Sequence, residues 1–420
     1  MGTWNVHTGA LCLLRFIAGA AALSYAHVVA GCGSTHTDAE TCTPSCQIAN
    51  AQADCGAECR IKACVQGYAD CNADVEDGCE TAILDNPAAC GACDNQCGDA
   101  ACAQGICGAA SNVWVYEADV SDPFNDPMIE RMAVDGSFIY WTSGRQNAGA
   151  IYRAPKAGGP ATLLASATDP VRLAIDEEFV YWTSRVPDTG DETVSPALLS
   201  RIPKAGGTPQ TLARFDQDQN PLDNLGVDAD HVYVQGGMPD GTWAVARVPK
   251  TGGGLTPVYT IAENEAYYRF AVRDASLYLL LAERGARLIS RVQMLPTTGG
   301  AVTTLADLVE AGPTSSLVVT ADAVYFNGFH LAQLWQVALT ELWVRPIQDA
   351  VPVFEFAVDD RFIYTTNDAK IWAFDRADSS QRVLGGRGAG YRFEGGLAVD
   401  EAFLYFATNL GITRIAKPSP

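Results

Sequence analysis

From residue 130 onward, apolar and polar positions alternate in short bursts separated by turn residues, and one phrase recurs. A three-residue apolar segment, closed by Asp in five of seven copies, is followed by two or three turn residues and then by an apolar pair ending in tyrosine. The copies run from Met132 to Tyr140, Leu173 to Tyr181, Leu225 to Tyr233, Phe270 to Tyr278, Leu317 to Tyr325, Phe356 to Tyr364 and Leu397 to Tyr405. Successive tyrosines are 39 to 52 residues apart. Alternation over four to eight residues predicts half-buried strands, and no stretch carries the 3.6-residue period of an amphipathic helix.

A second phrase falls between copies of the first: Pro155-Lys-Ala-Gly-Gly159, Pro203-Lys-Ala-Gly-Gly207, Pro249-Lys-Thr-Gly-Gly253 and Pro296-Thr-Thr-Gly-Gly300. The glycines suit a tight hairpin that needs positive φ. Strand-like segments flank each turn, such as Ile151–Ala154 before and Thr162–Ala165 after. Each repeat thus supplies four short strands, and four-stranded units of ~40–45 residues are propeller blades. The expected fold is all-β: a seven-bladed β-propeller of four-stranded blades over residues 112–417. The seventh repeat stops after Gly411–Ala416 with three strands, so the orphan strand within 112–118 is expected to complete the last blade and remove both open edges.

Tyr140-Trp141-Thr142-Ser143 and Tyr181-Trp182-Thr183-Ser184 resemble the signature of YWTD propellers, and the Leu-Ala-Val-Asp phrase resembles NHL and TolB-like propellers. Ser143 and Ser184 stand where the YWTD signature has aspartate, and seven copies depart from the six blades of that family. The resemblance implies a fold and carries no function with it.

Cysteine usage divides the chain. All 14 cysteines lie at or before Cys107, as expected when one part needs covalent staples and the other has core enough. Residues 1–31 read as a signal peptide, with Arg15, an apolar run from Phe16 to Leu23 and small residues to Gly31. Val29-Ala30-Gly31-Cys32 resembles the lipobox of bacterial lipoproteins, which implies lipidation of Cys32, with residues 32–41 as the anchor linker. No later run reaches the ~18 apolar residues of a spanning helix. Export to the cell envelope or outer surface follows, lipid-anchored or secreted.

Residues 42–108 form a cysteine-rich module. Cys42, Cys46, Cys55, Cys59, Cys64, Cys71, Cys79, Cys90, Cys93, Cys97, Cys102 and Cys107 are even in number and predict six disulfides of undetermined pairing. Zinc is the alternative use of Cys90-x2-Cys93, without histidines nearby to support it. Asp70, Asn72, Asp74 and Asp77 place oxygens at spacings that could wrap calcium, although Val75 and Thr81 occupy positions where an EF-hand loop wants glycine and glutamate. With Gly67-Tyr-Ala-Asp-Cys-Asn72 and Cys90-Gly-Ala-Cys93, the segment resembles cysteine-rich modules of secreted myxobacterial proteins related to stigma-specific-protein-like repeats. That resemblance implies an extracellular spacer.

With 28 basic against 49 acidic residues and no basic cluster, the surface is expected to repel phosphate backbones, which disfavours nucleic acid as a partner, and none is expected. Catalytic motifs are thin. The propeller holds only His231 and His330, with no Gly-x-Ser-x-Gly elbow and no His-Glu-x-x-His pair. The Gly-rich run Gly385–Gly390 leads into another strand and reads as an inter-blade loop. The seven tyrosines are expected to pack between blades with hydroxyls on backbone partners, and the repeated aspartates to serve as turn or blade-locking acceptors.

If the first strand of each repeat is innermost, the residues just before it ring one mouth of the axial channel. These are Arg131, Arg172, Asn224, Arg269, Ser316, Glu355 and Gly396. Three arginines there could hold an anionic group, unless Glu130, Asp169, Asp223 and Glu355 neutralise them. The insertion Arg185 to Pro196 is a second candidate surface. The leading expectation is a surface-anchored binding or scaffold protein that recognises a protein or glycan at the propeller mouth. The alternatives are an exported hydrolase or lyase of the lactonase or propeller-lyase sort with a divalent metal in the channel, or a structural envelope spacer.

Overall fold

Each recurrent phrase folds as the inner hairpin of a four-stranded antiparallel sheet in the computed structural model. The described residues are 47–55, 59–65, 67–91, 93, 96, 101–103, 106–107, 114–117, 129–145, 148–186, 196–215, 224–238, 240–283, 289–309, 316–328, 333–348, 355–366, 370–386, 393–408 and 411–418. Blade 1 comprises Ile129–Val134, Phe138–Arg145, Ala148–Pro155 and Thr162–Ser166 in that spatial order. Blades 2 to 6 repeat the pattern, opening on Pro170–Ile175, Leu225–Val227, Glu265–Arg273, Leu317–Val319 and Glu355–Val358. Blade 7 takes Phe393–Val399, Phe403–Thr408 and Gly411–Ala416, and its outermost strand is Trp114–Glu117 from the start of the ring. Gly411 faces Glu117 and Ile412 faces Tyr116 across that join.

The first strands of most neighbouring blades touch one another, blade 7 meeting blade 1, so they line the axis. The core is divided into seven apolar layers, each between two neighbouring blades. The recurrent tyrosine always belongs to the layer facing the next blade. Tyr140 lies between blades 1 and 2, Tyr181 between 2 and 3, and so on to Tyr405 between 7 and 1. Tyr140, Tyr181, Tyr233, Tyr325, Tyr364 and Tyr405 are each at most 1% exposed. At ~25 cal/mol per Å2 of apolar surface, rings of this size dominate the inter-blade free energy.

Their hydroxyls do not seek the backbone, as the sequence suggested. Five of them donate to the carboxylate five residues upstream: Tyr140 to Asp135 at 3.0 Å, Tyr181 to Asp176 at 2.7 Å, Tyr233 to Asp228 at 2.5 Å, Tyr364 to Asp359 at 2.8 Å and Tyr405 to Asp400 at 2.9 Å, while the Tyr325 hydroxyl accepts from Gln336 and Arg376. A buried phenol needs a strong acceptor, and the hairpin supplies one because the other oxygen of each Asp already caps the turn. Asp135 Oδ1, for example, accepts from the backbone N–H of Ser137 and Phe138.

In the cysteine-rich segment, disulfides join Cys64 to Cys79, Cys71 to Cys93 and Cys90 to Cys102, and Cys59 is disulfide-bonded too. Cys55 and Cys107 end short strands. Cys32, Cys42, Cys46 and Cys97 lie outside the described residues. The hairpin Cys102–Ala103/Ile106–Cys107 pairs with the outermost strand of blade 6, Gln381–Gly386, through Ile106 and Gly385. Gly385 and Gly386 are therefore strand residues and not the start of an inter-blade loop.

Disulfide bonds of this kind suggest an extracytoplasmic protein. Among the described residues no helix is long and apolar enough to cross a membrane.

Candidate functional site: the channel mouth

Because neighbouring strands are antiparallel, the first-to-second and third-to-fourth turns of every blade share one face, and the other connections share the opposite face. The first face is locked by ion pairs that the sequence reading missed. Lys204, in the Pro-Lys-Ala-Gly-Gly turn of blade 2, reaches Asp135 of blade 1 at 2.7 Å, and Lys250 of blade 3 reaches Asp176 of blade 2 at 2.7 Å. Lys156 of blade 1 pairs with Asp400 of blade 7, and Lys417 of blade 7 with Asp359 of blade 6 at 2.7 Å. The turn glycines free this lysine to project, for Gly206 and Gly207 have φ of 95° and 139°, which side chains resist.

Burial alone would raise the Asp135 and Asp176 carboxyls. The lysine ammonium, the turn amides and the tyrosine hydroxyl overcome it and bring both down to about 2. Asp228, Asp359 and Asp400 are lowered against the same burial penalty, Asp359 and Asp400 by the same set of partners. The Tyr140 and Tyr181 hydroxyls are pushed up, first by burial and then by the adjacent carboxylate. The signal was present in the sequence: the lysine of one repeat accompanies the aspartate of the repeat before.

The opposite face carries the predicted rim. Arg131 and Arg172 face Thr142 and Thr183 across their hairpins, and Arg269 faces Leu280. Met132, Leu173 and Phe270 point back into the layers with the preceding blade. Strand alternation therefore sends Arg131, Arg172 and Arg269 toward the following blade. All three are half-buried, and Asn224, just ahead of Leu225, is buried at 8% exposure. Ser316 donates its N–H to Asn327 at 3.0 Å, and Glu355 begins the first strand of blade 6 opposite Thr366.

Each arginine follows an extra residue in its strand. Register shifts fall between Ile129 and Arg131, between Pro170 and Arg172, and between Tyr267 and Arg269. Such bulges bend a strand and re-aim the next side chain. Among the described residues, the first pairs of blades 3, 5 and 6 run without a shift over Leu225–Val227, Leu317–Val319 and Glu355–Val358. Blade 7 has a wider one between Phe393 and Leu397, with Gly396 at φ 71° beside Met132.

Asp169 pairs with Arg185 at 2.5 Å, and Arg131, Arg172 and Arg269 each have an interaction of their own. Beside Arg131 and Arg172, the Thr142 and Thr183 hydroxyls are at most 1% exposed and have no hydrogen-bond partner. The rim gathers guanidinium and amide side chains, each with an interaction of its own, and such groups suit an anion.

Residues 187–195 of the insertion, Asp223 and His330 lie outside the described residues, and His231 opens a strand beside Asp228. Asp70, Asn72, Asp74 and Asp77 close their own turn: Asp70 accepts from the N–H of Ala73, Asn72 from that of Asp74, Asp74 from that of Glu76, and Asn72 donates to Asp77. Among the described residues no group of three or more His, Cys, Asp or Glu is placed to hold a metal ion.

The fold defines a β-propeller stapled to a disulfide-rich segment. No family model matches the chain, and no curated protein matches it. Among solved structures it is similar to the oligogalacturonate lyase of Vibrio parahaemolyticus, at 9% identity over 73% of this chain and 97% of that one, with a TM-score of 0.50. It is also similar to a puromycin-hydrolyzing peptidase of Mycobacterium tuberculosis (13% identity, 72% of this chain, TM-score 0.49), of which it spans 54%. A nidogen/laminin complex is matched at 15% identity over 52% of this chain and 79% of that one, with a TM-score of 0.40. At these identities the likeness concerns the fold alone.

Proposed function

We propose that the protein is an exported binding protein, lipid-anchored through Cys32, whose propeller mouth recognises an anionic group on a protein or glycan partner. Arg131, Arg172 and Arg269 supply the charge, and Asn224 fixes orientation beside them. The observation that carries the reading is that a one-residue bulge precedes each of these arginines. The net charge of −21 does not oppose this, because at physiological salt acids more than ~8 Å from the mouth are screened.

Polygalacturonate and poly-glutamate serve as probes in biolayer interferometry. The wild-type protein is expected to bind at least one of them more weakly as salt rises. The Arg131→Ala/Arg172→Ala/Arg269→Ala variant should lose about tenfold or more in affinity, as expected for charge-assisted contacts. Equal binding by both proteins refutes the rim. Cys32→Ala should move the protein from the membrane fraction to the soluble one, and its staying with the membrane refutes the anchor.

A further inference from the structure

Among the described residues, six of the seven seams between blades carry a polar lock on the turn face. Lysine reaches aspartate between blades 1 and 2, 2 and 3, 6 and 7, and 7 and 1. Arg376 grips both oxygens of Asp322 between blades 5 and 6, at 2.5 and 2.7 Å. Arg247 of blade 3 donates to the Thr297 carbonyl of blade 4 at 3.2 Å.

Three positions build such locks, and between blades 4 and 5 all three have changed. Arg273, five residues ahead of Tyr278, stands where blade 1 has Asp135, and its guanidinium pairs with Asp274 of its own turn at 3.0 Å. Leu339 of blade 5 stands where blade 2 has Lys204: its N–H bonds Asp322 O at 2.8 Å, as that of Lys204 bonds Glu178 O at 2.8 Å. Met294 faces Tyr278 across its strand pair, where Arg247 faces Tyr233 and Arg153 faces Tyr140. Met294 and Leu339 pack instead against the apolar layer of Tyr278, Leu280 and Phe326. Trp335 of blade 5 packs against the same layer, and its indole N–H is buried and donates to no protein group.

Apolar contact is non-directional, so two sheets that meet through it keep most of their contact free energy when they slide slightly past one another. A hydrogen bond or ion pair loses its geometry over the same displacement. Burying an indole N–H without an acceptor also costs free energy that opening the layer returns. We propose that the ring flexes at this seam: blades 4 and 5 slide and part on the turn face while the six locked seams hold. Shear of packed layers belongs to the microsecond-to-millisecond range. On the opposite face the seam runs between Arg269 and Ser316, so its movement sets the width of the mouth. That consequence rests on the rim reading, whereas the movement itself does not.

Methyl relaxation dispersion on the full chain without ligand tests the seam separately from the rim. Leu280 and Val292 of blade 4 and Val324 and Val337 of blade 5 are expected to show exchange, and Ile139 and Ile412, in the locked layer between blades 7 and 1, to show none. Arg273→Asp/Leu339→Lys installs the missing pair and should cut the exchanging population about fivefold. Lys204→Met removes a lock elsewhere and should bring exchange to Leu164 and Val180, between blades 1 and 2. Flat dispersion at the four methyl residues of blades 4 and 5, or exchange of equal size at Ile139 and Ile412, overturns the proposal in the wild-type protein alone. Exchange left undiminished by the installed pair overturns it as well.

Discussion

Lys204 of blade 2 and Asp135 of blade 1 meet at 2.7 Å with only 14% and 25% of their side-chain surfaces exposed, across the apolar layer that contains Tyr140. The pair turns a contact between two sheets into a directional joint. Removing Lys204 leaves Asp135 in the tyrosine's grip without its counter-charge, and removing Asp135 orphans both the ammonium and the phenol. Lys204→Met and Asp135→Asn should each lower stability by about 1–3 kcal/mol. Together they should cost less than the sum, with a coupling of about 0.5–2 kcal/mol in chemical denaturation. Additive losses would mean that the two side chains do not act as a unit.

The same joints set the acid limit of the fold. Asp135 and Asp176 titrate near 2 when folded and near 3.8 when unfolded. Between those values the unfolded chain binds more protons, so stability rises with pH through the window. The contribution is complete above about pH 4 and lost as pH falls through 2. The unfolding midpoint in denaturant should therefore decline steeply from pH 4 to pH 2, and Asp135→Asn/Asp176→Asn should flatten that slope. An unchanged slope in the double variant would assign the acid response to other carboxylates.

Seven blades were legible because a buried tyrosine at one register position of every blade leaves a fixed phase in the sequence, and Gly-Gly turns leave another. The joints between blades were harder to see, since Lys204 and Asp135 are 69 residues apart and only ring geometry brings them together. The bulges ahead of Arg131, Arg172 and Arg269 leave no mark on composition, for Glu130, Val171 and Tyr268 share nothing but position. The joint between blades 5 and 6 escaped notice for the opposite reason: it arises where the repeat fails, and periodic reading weights agreement. Arg376 replaces the expected lysine there, and Asp322 the expected aspartate two residues late.

One joint is incomplete and can be finished. Thr297 occupies the lysine position in blade 4: its N–H bonds Ala275 O at 2.9 Å as that of Lys204 bonds Glu178 O, and its carbonyl accepts from Arg247 as that of Lys204 accepts from Arg153. Opposite it, Asp228 holds Tyr233 and the turn amides. Thr297→Lys should give Asp228 the ammonium that Asp135 and Asp176 possess and raise stability by about 0.5–1 kcal/mol, read as a higher thermal midpoint. Thr297→Met, matched in length without charge, should give no such gain, and an equal gain from both would credit packing.

The disulfide-rich segment is held to the ring at blade 6, and the bond between Cys90 and Cys102 anchors the hairpin that makes the join. An outermost strand otherwise presents unpaired backbone groups to solvent. Cys90→Ser/Cys102→Ser should loosen that hairpin and expose the edge of Gln381–Gly386, because the short pairing at Ile106 and Gly385 cannot by itself repay the ordering of its residues. Hydrogen–deuterium exchange is expected to rise in a peptide spanning 381–386 while the peptide containing Phe138–Arg145, in blade 1, keeps its protection. Unchanged protection at 381–386 would show that the hairpin holds its place without the disulfide.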